Sequence, residues 1–134
     1  KEILKEYTVV IKKTEKEMKE DVEKIEYLFS KATDQLKKLL PEYSRNGLLI
    51  IHLLDNEDSV NRVFGESVLE QTFGSMYHRG YEEALSVAGE TLLEGGWYER
   101  AIVFFEKALK ENPNNTKSRE KLKIASKKLK KLLR

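Results

Sequence analysis

Residues 95–115 read GGWYERAIVFFEKALKENPNN, and this stretch decides the fold class. Tyr98, Ala101, Phe105 and Ala108 recur at helical spacing on one face, while Glu99, Glu106, Lys107 and Lys110 fall opposite them. Asn112-Pro113 stops the helix, because proline has no N–H and its ring clashes with the turn before it. Gly95-Gly96 separates it from a preceding helix predicted over 81–94. Gly89 and Ala101 are small where two antiparallel helices must approach to about 8–10 Å. Thr116 is placed to cap a further helix that runs almost to Arg134.

Working outward, the first forty residues predict one long helix. Leu4, Ile11, Met18, Ile25, Ala32 and Leu39 recur every seven residues, with Val22, Phe29 and Leu36 as a second stripe. From Val22 to Leu39 the apolar spacing alternates three and four, which is a coiled-coil seam; Thr8 and Glu15 break it further upstream. The pattern suits a core helix with an overhanging end, a segment through which copies self-associate into a homo-oligomer, or a structural coiled-coil component of a larger protein. Pro41 ends it. A second helix is expected over about 43–54, then the polar break Asp55-Asn56-Glu57-Asp58. Asp58 or Ser59 can cap a third helix carrying Val60, Val63, Phe64, Val68, Leu69, Phe73, Met76 and Tyr77. Gly65 and Gly74 within it mark a kink, an end or a close crossing, and Gly80 terminates it.

No segment has strand periodicity. The expected fold is therefore all-α: an antiparallel bundle of about six helices in one domain, with a coiled-coil-like helix over 1–40 leading into a bundle over 41–134. The 134 residues match a single domain, and 40% hydrophobic content excludes a disordered chain. The absence of cysteine excludes disulfides, thiolate metal sites and a cysteine nucleophile. The most apolar run, Gly47 to Leu54, is far shorter than the roughly 20 residues that cross a bilayer. The chain opens on alternating Lys and Glu, unlike a signal peptide, and already inside a helical pattern, so a cytoplasmic piece of a longer protein is expected.

The 34 residues from Glu82 to Asn115 have the period of the tetratricopeptide repeat, and Leu85, Ala88-Gly89, Leu92, Ala101, Phe105, Ala108 and Pro113 stand at its signature offsets. The stretch resembles that family most closely in its second helix and exit turn; Leu85 and Leu92 replace the usual aromatics of the first. A second register, with Gly80 to Leu85 opening the second helix of a repeat, is also consistent with the residues. The resemblance implies a helical groove that holds a peptide or helix of a protein partner, with no catalysis and no cofactor. In this register the groove positions are Glu83, Ser86 and Glu90, then Lys117, Lys121 and Ile124. Lys117 and Lys121 match a basic pair that some family members use to hold a terminal carboxylate, while Ser86 and Glu90 stand where the accompanying asparagines would be.

Charge is divided unevenly. Residues 1–40 carry +1, residues 41–115 carry −7, and residues 116–134 carry +8, although the whole chain is only +2. The basic tail keeps Leu122, Ala125, Leu129 and Leu132 at helical spacing, which suits a capping helix with a polar outer face. Nucleic acid is a poor fit, since the tail lacks the aromatic platforms on which single strands stack. The two histidines, His52 and His78, form no ligand pair, so no metal site is expected. Arg45-Asn46 followed by His52 resembles the signature of the all-α HEPN ribonucleases, in which the arginine would hold phosphate and the histidine move a proton. The apolar run around His52 favours a structural histidine instead.

Overall fold

The computed structural model describes Lys5 and residues 21–134, and every regular element among them is helical. The order is α1 (Asp21–Leu39), α2 (Arg45–Asp55), α3 (Glu57–Phe64), α4 (Val68–Met76), α5 (Tyr81–Glu94), α6 (Tyr98–Glu111) and α7 (Thr116–Leu132). The expectation for residues 1–20, including the upstream half of the heptad stripe, lies outside the described residues.

The most extensive packing is between consecutive C-terminal helices, α5 on α6 and α6 on α7. Leu85, Ala88, Leu92, Ala101, Phe105 and Ala108 are all buried. Gly89 shows why the pair packs so closely: a Cβ there would stand 2.6 Å from Cε1 of Phe105, so only hydrogen leaves room for the ring. The turn between them is a Schellman motif. Gly96 takes φ +83, Trp97 N–H donates to the Leu92 carbonyl at 2.8 Å and Gly96 N–H to Leu93 at 3.1 Å, which satisfies the last carbonyls of α5.

Upstream, α1 packs on α2 and α4, and α2 packs on α5. Ile25, Leu28, Phe29 and Ala32 are buried in this core, so the described part of the heptad seam is largely consumed inside the chain; Leu39 is left exposed. Ser44 caps α2 by accepting the Gly47 N–H at 2.8 Å. Gly47 also sets the crossing with α5, since a Cβ would meet Oγ1 of Thr91 at 2.0 Å.

The third expected helix is two. Gly65 adopts φ +111 and closes α3, and the chain restarts at Val68. The apolar spacing through Val63, Phe64, Val68 and Leu69 runs on regardless, which is why periodicity alone reads one helix. The buried hydroxyls of Thr33 and Thr72 are satisfied within their own helices: Thr33 donates to Phe29 O at 2.6 Å and Thr72 to Val68 O at 2.8 Å. No described helix is long and apolar enough to cross a membrane.

Candidate functional site

The start of α5 is joined to the start of α7 by a polar network built on Glu82. Its carboxylate accepts from Asn115 Nδ2 at 2.6 Å, from Asn112 Nδ2 at 3.1 Å and from Arg79 Nη1 at 3.3 Å. Asn115 turns its other side-chain atom inward, where Oδ1 accepts the Ser118 N–H at 3.0 Å and caps α7. Ser86 and Ser118, both buried, share a hydrogen bond at 2.7 Å. The exit turn after α6 is thereby fastened to the first helix of the pair.

Beside this network lies a cleft of about 140 Å³, lined by Arg79, Glu83, Ser86, Val87, Asn115 and Lys117. Three of the six sequence-derived groove residues, Glu83, Ser86 and Lys117, line it. Glu83 also accepts the Arg79 backbone N–H at 2.8 Å and so holds the entry to α5. Glu90 stands next to the cleft and forms an ion pair with Lys117 at 2.9 Å. Lys121, half-buried one turn along α7, is not part of the lining. Ser86 is floor rather than rim, because its hydroxyl is already committed to Ser118.

Arg79, Val87 and Asn115 complete the lining and were not singled out from the sequence. Val87 is on the same helical face as Glu83 and could have been found by spacing. Arg79 precedes Gly80 and belongs to no periodic segment, and Asn115 shows only as a turn residue. The cleft mixes two cations with the Glu83 carboxylate, so it offers hydrogen bonds and charge to a polar chain, with Val87 as its apolar lining residue.

The residues of the ribonuclease-like spacing sit apart. Arg45 is at the exposed start of α2, its Nε donating to Asp34 at 2.8 Å. His52 is two turns later, about 10 Å along the axis. Burial holds the His52 pKa below its ordinary value and Arg100 lowers it further, against the opposing pull of Asp55. Arg100 is itself anchored to Asp55, at 2.6 Å and 2.7 Å from the two carboxylate oxygens. Among the described residues no group of three or more His, Asp or Glu side chains could hold a metal ion. No family model, curated protein or solved structure matches the chain.

Proposed function

We propose that this chain is a non-catalytic interaction scaffold of the tetratricopeptide-like kind, which holds a peptide or short helix of a protein partner against α5 and α7. The observation that carries the reading is the cleft itself, which gathers Glu83, Ser86 and Lys117 from two helices that the Glu82 network fixes side by side. The Gly89–Phe105 contact and the buried Ala101 and Ala108 support the repeat-like reading of the α5–α6 pair. One repeat cannot bury its own apolar face. Here α2 covers the outer side of α5 and α7 covers α6, so the pair has neighbours without further copies of itself.

The test is peptide binding by the double variant Lys117→Glu, Lys121→Glu. Peptides selected from a random library on the native chain should lose more than about fivefold in affinity, the loss that accompanies removal of a contributing interface side chain. Circular dichroism should show both proteins equally helical. Unchanged affinity would reject the α7 side of the cleft as a contact.

A further inference from the structure

One end of the bundle gathers three covalently distant segments. Trp97 donates its indole N–H to the Tyr43 hydroxyl at 2.7 Å, which brings the α5–α6 turn against the α1–α2 corner. Lys128 of α7 lies 6.0 Å from the ring centre of the adjacent Tyr98, which brings the end of α7 to the same place. Each segment carries an exposed apolar side chain within five residues of these contacts in sequence: Leu39 is 74% exposed, Trp97 56%, Leu132 69% and Leu133 77%.

The α7 side chains explain the exposure. The stripe Leu122, Ala125 and Leu129 is buried or half-buried, and the same stripe continues one turn beyond Lys128 to Leu132, where it is uncovered. Between Lys127 and Arg134 there are five cations, three leucines and no carboxylate. Lys38 adds a further exposed cation from the α1 end, against the exposed Glu42, Glu94 and Glu99.

We infer that this end of the bundle docks on an anionic lipid bilayer, with Trp97, Leu132 and Leu133 entering the headgroup region and the α7 lysines meeting lipid phosphates and carboxylates. Attachment of a protein surface to a bilayer strengthens with the apolar area it buries and with its electrostatic attraction to anionic lipid, and both contributions are available here. Tryptophan is the side chain that favours the membrane–water interface, its ring apolar and its N–H polar. A second copy of the chain is a poorer occupant. Its acidic stretch could meet the lysines, but the other exposed large hydrophobics among the described residues, Tyr27, Val63, Val103 and Ile124, are one to a helix on α1, α3, α6 and α7. This inference does not rest on the cleft between α5 and α7.

Trp97 is the only tryptophan in the chain, so its emission reports on this end alone. Vesicles of phosphatidylserine mixed with phosphatidylcholine should shift its emission to shorter wavelength and carry the protein down on sedimentation. Vesicles of phosphatidylcholine alone should do neither. The variant Lys130→Glu, Lys131→Glu should bind anionic vesicles at least about 25-fold more weakly, since each basic side chain near such a surface contributes about fivefold. Leu132→Ser with Leu133→Ser alters only exposed positions and should lower binding at least about tenfold with helicity unchanged. Sedimentation with vesicles but no change in Trp97 emission would overturn the inference, as would equal binding to neutral vesicles. A shift produced by raising protein concentration without lipid would assign the surface to a second copy, and one produced only by single-stranded RNA would assign it to nucleic acid.

Discussion

At Gly89 the absence of a side chain is the condition for the ring of Phe105 to lie where it does. Gly89→Ala improves intrinsic helix propensity by about 1 kcal/mol but forces a methyl into a space 2.6 Å from a fully buried ring. Overpacking of this kind costs about 1–3 kcal/mol, so steric strain wins and the variant should melt at a lower temperature. Adding Phe105→Leu should make the alanine much less damaging, because the ring that it strikes is gone; equal damage in both backgrounds would show that the contact does not set the packing. His52 gives a second residue-scale prediction. Its folded pKa lies below the ordinary value of 6.5, so the unfolded chain binds the proton more readily. Stability therefore rises with pH through the window below 6.5 and falls on acidification. Melting temperatures of His52→Gln should decline less than those of the native chain as the pH is lowered through that window; parallel declines would place the acid-sensitive group elsewhere.

Among the elements, α5, α6 and α7 were the most legible in sequence, because each carries an apolar stripe of helical period between strong stop signals. Gly95-Gly96 and Asn112-Pro113 both fall between helices, as their backbone chemistry requires. The division of α3 from α4 was not legible as such. Gly65 can equally sit inside a helix at modest cost, and only its positive φ, a property of the folded chain, ends the segment. The cleft was legible on the α5 side for a similar reason, since Glu83 and Ser86 share a face. What spacing could not show was the partner of Ser86, a serine 32 residues away, or that Glu82 would tie down Asn112 and Asn115 of the exit turn. Asn115→Ala tests that tie at the level of the element. It removes the α7 cap and a donor to Glu82, and should cost about 1–3 kcal/mol. Amide exchange in the first turn of α7 should accelerate more than in α2. Uniform acceleration would mean that the network merely contributes to global stability.

For the whole molecule, the two proposed surfaces are built from different charge. The cleft mixes Arg79 and Lys117 with Glu83 beside the Glu82 network, whereas the end that holds Trp97 is rich in lysine and exposed leucine. A chain of net charge +2 can thus present a polar groove to a protein and a basic, apolar tip to a bilayer, because its cations are concentrated in α7. Salt separates the two at this scale. Raising ionic strength from about 0.1 M to 1 M shortens the Debye length from about 10 Å to 3 Å and weakens long-range attraction to a charged surface far more than short hydrogen bonds in a cleft. The central claim is that α5 and α7 together hold the partner. Its most direct measurement is an NMR titration of the isotopically labelled chain with a library-selected peptide. The account predicts that the amides of Glu83, Ser86, Val87 and Lys117 shift most and together; shifts confined to α3 and α4, or a peptide that binds while those four amides stay unmoved, would contradict it.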